Sequence, residues 1–219
     1  MCFSATASFA AGGFLLGLGT MTLKTVRETR DMPVAAIPLL FAVQQLSEGV
    51  IWWTFSHDAP LLNSVMTHVY SFFSHVLWPV YIPLSVLLME PPGWRRSALV
   101  AVVAIGTSVG AYLLYMLVAF PVVSQPVGQH IEYISPHFFA AVTMTLYLIA
   151  TTASLLLSVH MRVRVFGAVS MLAFAVAYMF YARWFISVWC FFAALLSVLI
   201  YFHLAAQRVN GNCHLLQRI

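Results

Sequence analysis

Seven long apolar stretches constrain this chain more than any other feature; they lie near residues 8–25, 34–55, 64–88, 97–120, 136–158, 164–182 and 184–206. Each approaches or exceeds the roughly 20 apolar residues a helix needs to cross the hydrocarbon core of a bilayer. Backbone N–H and C=O groups find no water there, and a helix satisfies them within a single segment. The pattern predicts an all-α, polytopic membrane protein, a bundle of seven transmembrane helices. Val165 to Ala206 reads as two crossings joined at Ala182 and Arg183, because it is about twice as long as one bilayer requires. No repeat or long linker divides the sequence, so residues 1–219 read as a single transmembrane helical domain.

Charge then gives an orientation. Only 7% of residues are charged, against about 25% in soluble domains. The net charge of +4 sits in short clusters between the apolar runs, with no dedicated basic domain. That argues for the lipid bilayer as partner and against nucleic acid. Lys24, Arg27, Arg30, Arg95, Arg96, Arg162, Arg164, Arg208 and Arg218 fall on one side of seven crossings, and Arg183 on the other. The positive-inside rule places the N-terminus outside and the C-terminus in the cytoplasm of a plasma (inner) membrane. The opening MCFSATASF lacks the basic n-region of a cleavable signal, so the first helix is expected to stay. Three cysteines, at positions 2, 190 and 213, make no disulfide framework by count.

One crossing is unusual. VAAIPLLFAVQQLSEGVIWWTF, from Val34 to Phe55, carries Gln44, Gln45 and Glu48 among its apolar residues. A carboxylate at membrane depth costs at least about 2.5 kcal/mol on insertion scales, so it is expected to face the protein interior or a water-filled cavity. Helical spacing sets Gln44 one turn before Glu48 and Trp52 one turn after, with Gln45 alongside. In the third crossing His68, Ser71, His75 and Trp78 recur at spacings of three and four, ahead of Pro79 and Pro83, which are expected to bend that helix. Gly13 and Gly17 form a small-xxx-small pair suited to close helix contact, and Thr143, Tyr147, Thr151 and Ser154 a hydroxyl stripe suited to interhelical hydrogen bonds. Residues 121–135 read as an outer loop.

With that orientation Cys2, Ser4, Glu48, His130 and Cys190 fall toward the outer side. Thiols, imidazoles and a carboxylate are the ligand set zinc prefers. Each also has a plainer reading: a buried cysteine is usually a small hydrophobe, and His75 beside Trp78 suits a satisfied core histidine. No HExxH, HxxxH, GxSxG or P-loop is present.

The opening MCFSA, the IPLLFAVQQLSEGVIWW, WPVYIPLSVLLME and FISVWCFFAALLSVLIY segments and the GQHIEY loop resemble an uncharacterised family of small bacterial multi-spanning membrane proteins. The resemblance implies membrane location and a shared fold, and no activity comes with it.

The expectation is therefore an outward-facing polar pocket, with zinc as candidate cofactor in an enzyme acting on a small-molecule or lipid-derived ligand. Cys2, Glu48, His130 and Cys190 are the candidate ligands, and Glu48 and His75 the candidate acid–base groups. Ser4, Gln44, Gln45, Trp52 and Trp78 would line the pocket. Two alternatives stay open: a transporter or channel with Glu48 as its mid-pathway site, and a thiol redox protein using Cys2 and Cys190 as a pair.

Overall fold

A computed structural model describes residues 4–135, 139–181 and 185–206. Seven helical spans in it are long and apolar enough to cross a membrane, at Ala5–Thr25, Thr29–His57, Pro60–Met89, Trp94–Ala119, Ala140–Leu157, Met161–Met179 and Val188–Ala206. The chain is an all-α multi-pass membrane protein with one small hairpin added. Large apolar side chains such as Phe14, Val118 and Leu172 stand exposed on its outer faces, as lipid contact requires.

Helix α1 (Ala5–Thr25) starts at Ser4, whose Oγ accepts the Ala7 N–H at 3.2 Å. A 3-10 turn at Thr29–Asp31 leads into α2 (Met32–His57). Asp58, in the left-handed region at φ 46°, ends α2, and Pro60 opens α3 (Pro60–Ser71). The α1–α2 contact does not use Gly13 and Gly17, which meet nothing within 4 Å. Gly12 and Gly19 make it instead: a Cβ there would lie 2.7 Å from Leu46 Cγ and 2.6 Å from Leu39 Cγ. The seven-residue spacing of Gly12 and Gly19 returns to one face after two turns, and that face is the one turned to α2.

The third span departs from regular α-helix just ahead of its prolines. A π-helical segment (Phe72–Leu77) joins α3 to α4 (Trp78–Met89), and the Trp78 N–H bonds the Phe73 carbonyl five residues back. The Ser74 carbonyl takes the Tyr147 hydroxyl of the fifth span at 2.6 Å. Pro83 has no N–H to give the Pro79 carbonyl. Helix α5 (Trp94–Ala119) presses Gly106 onto that carbonyl so closely that a Cβ would overlap the oxygen.

The fifth span has its own π-helical segment (Ile149–Ala153), between α6 (Ala140–Leu148) and α7 (Ser154–Leu157). Its hydroxyls mostly stay at home: Thr151 donates to the Tyr147 carbonyl and Ser154 to that of Ala150. Tyr147 makes the cross-helix bond. Helix α8 (Met161–Tyr181) packs Gly167 on Leu155, and α9 (Phe185–Leu196) is followed by a turn at Ser197 and further helix through Ala206.

Residues 121–135 are more than a loop. Strands β1 (Val123–Val127) and β2 (His130–Ile134) pair antiparallel around a two-residue turn whose Gly128 has φ 62°, a left-handed conformation glycine adopts at little cost. Ile131 packs with Ile51 and Tyr70, so the hairpin covers the ends of α2 and α3. Hydrogen bonds from Ser124 to Asn63 Oδ1 and between Thr67 and Ser124 fix it there, and Asn63 Nδ2 in turn donates to Thr54 of α2. At the opposite end of the bundle, the buried Glu90 carboxylate accepts the Val159 N–H at 3.0 and 3.2 Å, and Arg96 donates to the Glu90 carbonyl.

Candidate functional site

Burial on α2 follows the helical face laid out by Gln44, Gln45 and Glu48. All three side chains are 0% exposed. The Glu48 carboxyl faces the underside of the hairpin, where Tyr133 Oη donates to Oε1 at 3.5 Å. Gln45 Nε2 donates to Oε2, also at 3.5 Å. Both contacts are at the long limit for hydrogen bonds, so neither of these two donors grips the carboxyl. Tyr133 is set by stacking on Tyr70, with ring centroids 4.5 Å apart and planes 5° from parallel.

One turn deeper, Gln44 Oε1 accepts the Trp78 indole N–H at 2.7 Å, and Trp78 stacks on Phe41 at 4.0 Å. The Cys190 thiol of α9 is 3% exposed. It adjoins Gln44 and Tyr70 and lies within electrostatic range of Glu48. Gln44 Nε2 faces that sulfur without meeting strict hydrogen-bond geometry. Below Cys190 is a cavity of about 30 Å³ lined by Trp78, Tyr147, Thr151, Ser170 and Trp189, among others.

The sequence expectations divide on this geometry. Glu48, Gln44, Gln45, Trp78 and Cys190 come together. Trp52 packs beside them, on the Ile51–Tyr70–Ile131 cluster and edge-on to Phe55. Ser4 caps α1 from an exposed position and is a structural residue here. His75 turns elsewhere. Its Nδ1 meets Ser74 Oγ at 2.8 Å and the Ser71 carbonyl at 3.1 Å, in a small cavity with Leu113, Met116 and Val122. The π-helical segment adds residues to that turn, so the His68–Ser71–His75–Trp78 face is not kept. Thr67, Tyr70, Ser74 and Trp78 form the buried side instead.

His130 begins β2, opposite Val127, and alternation puts it on the strand face away from Ile131 and Tyr133. It lies outside the membrane spans, and partial burial draws its pKa below the usual 6.5. Cys2 falls outside the described residues. Among the described residues, no three His, Cys, Asp or Glu side chains converge closely enough to hold a metal ion.

Tyr70 and Tyr133 belong to the site and were not among the candidates from sequence. The signal for Tyr133 was the alternation in HIEYI after a glycine turn. For Tyr70 it was the i, i+4, i+8 series through Ser74 to Trp78.

What the arrangement can do chemically follows from its donors. Amide, phenol and thiol groups are neutral and can hydrogen-bond a carboxyl in either protonation state. Donors of this kind let an acid gain and lose a proton with little rearrangement. No curated protein and no solved structure matches the chain. A family profile matches it over residues 1–214, nearly end to end, and on that match the chain belongs to DUF6629, a family of unknown function.

Proposed function

We propose that this protein carries protons across the membrane, with Glu48 as the group that binds and releases each one. The observation that carries the reading is the position of Glu48, fully buried between the hairpin and the bundle and met by the neutral donors Gln45 and Tyr133. Intramembrane acids of this kind mark proton relays and ion pathways. Two π-helical segments adjoin the deeper part of the site through Tyr147, and such segments are frequent at functional positions. In this reading Tyr133 and the hairpin close the outer approach. Glu48 takes a proton from that side and passes it toward the opposite end, returning to its starting state.

The membrane is the plasma membrane in this proposal, and the hairpin lies outside, because Lys24, Arg27, Arg30, Arg95, Arg96, Arg162 and Arg164 gather at the other end. The zinc enzyme is the less supported reading, since among the described residues only Glu48 and Cys190 of its candidate ligands come together, and His130 would have to be drawn across from the other face of its strand.

The deciding experiment uses purified protein in vesicles that trap a pH-sensitive dye, with valinomycin and potassium to prevent charge build-up. Wild type should dissipate an imposed pH gradient faster than empty vesicles, and Glu48→Gln should slow that flux by at least about tenfold while folding normally. Wild-type vesicles no faster than empty ones would remove the proposal, as would a Glu48→Gln protein with full flux. Stoichiometric zinc in the purified protein, lost on Cys2→Ser, would put the metal reading in its place.

A further inference from the structure

The cavity beneath Cys190 is out of reach of the hairpin. It lies on the far side of Gln44 and Trp78 from the Glu48 carboxyl, about two turns along α2 toward Phe41. Most of its wall is aromatic and aliphatic, but Thr151, Thr152, Ser170 and Cys190 also line it. Ser170 is 4% exposed, and its Oγ has no hydrogen-bond partner among the described residues. The Ser170 carbonyl is used by the Trp189 indole at 3.3 Å. Thr151 and Thr152 donate to carbonyls of their own helix and keep oxygen lone pairs to offer. On the Glu48 side, Gln44 Nε2 also lacks a partner of good geometry.

A buried hydroxyl left without a partner costs about 1–3 kcal/mol. An orphan hydroxyl on a residue that lines a cavity calls for a guest there that can hydrogen-bond it. The volume, about 30 Å³, exceeds the ~10–15 Å³ that one water occupies on this measure. Ser170, Thr151, Thr152 and Cys190 are the polar residues of an otherwise apolar lining, and a water there would find its partners among them.

We infer that this cavity is a water site, held by Ser170, Thr151 and Thr152, that brings exchangeable water to Cys190 and the inner flank of the Glu48 cluster. The inference deepens the proton-carrying reading by supplying the stretch between Glu48 and the end of the bundle opposite the hairpin. It also stands as a statement about water alone.

The test follows the Cys190 S–H stretch by infrared spectroscopy in full-length protein carrying Cys2→Ser and Cys213→Ser. On transfer to heavy water, the S–H band should convert to S–D far ahead of the core backbone amides. Ser170→Val fills the cavity and removes its hydroxyl, and should slow that conversion by at least about tenfold, to the pace of local opening. Ser170→Thr keeps a hydroxyl and should exchange close to the parent rate. A parent thiol that exchanges no faster than the core amides overturns the inference without any variant, and equal rates in parent and Ser170→Val overturn it as well. A rapidly exchanging thiol in vesicles without Glu48-dependent flux would keep the water site and discard proton transport. Glu48-dependent flux with a protected thiol would do the reverse.

Discussion

Glu48 is set apart by its position, a carboxyl fully buried between the hairpin and the bundle. Its contacts with Gln45 and Tyr133 are each 3.5 Å long, so each falls below the roughly 0.5–1.5 kcal/mol of a well-formed bond. Tyr133→Phe should accordingly leave thermal stability in detergent within about 0.5 kcal/mol of wild type, because the ring still stacks on Tyr70. The same variant should lower proton flux; a large loss of stability with unchanged flux would show the phenol to be structural. Glu90 is the contrasting acid. Its carboxylate holds the Val159 N–H with bonds of 3.0 and 3.2 Å. Glu90→Ala strands a backbone donor and should cost about 1–3 kcal/mol, with Glu90→Gln clearly milder, both read from melting in the same detergent. The sequence made Glu48 legible because an acid inside an apolar run stands out against its neighbours. Tyr70 and Tyr133 did not stand out, since aromatic residues are common in any membrane protein and their role depends on which faces the tertiary fold brings together.

Glycine and proline decide how the elements approach one another. Gly106 sits against the Pro79 carbonyl, whose helical donor Pro83 cannot supply. A methyl group there meets backbone, which cannot swing aside. Gly106→Ala should therefore destabilise the protein by about 1–3 kcal/mol or prevent folding, whereas Gly13→Ala, in open space, should be neutral or slightly stabilising. Equal melting temperatures for the two variants would contradict the α4–α5 packing. An irregularity in the third span was legible from Pro79 and Pro83, but its π-helical form was not. Choosing which carbonyl to release depends on Tyr147, which is remote in sequence. The hairpin was hidden for a related reason: its strands are only five residues each and hold because α2 and α3 supply a surface. That element also carries a pH dependence. Burial lowers the His130 pKa from 6.5, so protonation favours the opened hairpin. The stabilisation is complete above the unfolded value of about 6.5 and is lost as pH falls through that value toward the folded one. Hydrogen exchange at β1 and β2, corrected for intrinsic rates, should show easier opening at pH 5 than at pH 7.5, and His130→Gln should flatten the difference.

At the scale of the whole molecule, the apolar runs alone gave seven crossings, because length and hydropathy are what a bilayer tests. The proposed direction of the bundle rests on something else, the placement of a few charges. The hairpin lies between the fourth and fifth spans, while the links after the first, third and fifth spans hold Lys24, Arg27, Arg30, Arg95, Arg96 and the approach to Arg162 and Arg164. Basic residues near span ends resist transfer across the membrane, so these links are expected to stay cytoplasmic and the hairpin to be exported. Gln129→Cys at the hairpin turn, with Cys2→Ser, Cys190→Ser and Cys213→Ser, should react with a membrane-impermeant maleimide on intact cells. A reporter fused after Ile219 should be active only in its cytoplasmic form. The seven basic residues named make this expectation easy to challenge. Replacing Arg95 and Arg96 with glutamine removes two of them, and if charge sets direction, labelling at Gln129→Cys should fall in that background. Protected Gln129→Cys together with an exported C-terminus would reverse the bundle and place the Glu48 approach on the cytoplasmic side. The helix packing and the Glu48–Tyr133 contact would be untouched by that reversal, but protons would enter the site from the other compartment. The direction of an imposed gradient that Tyr133→Phe affects most in vesicles of known orientation would then change with it.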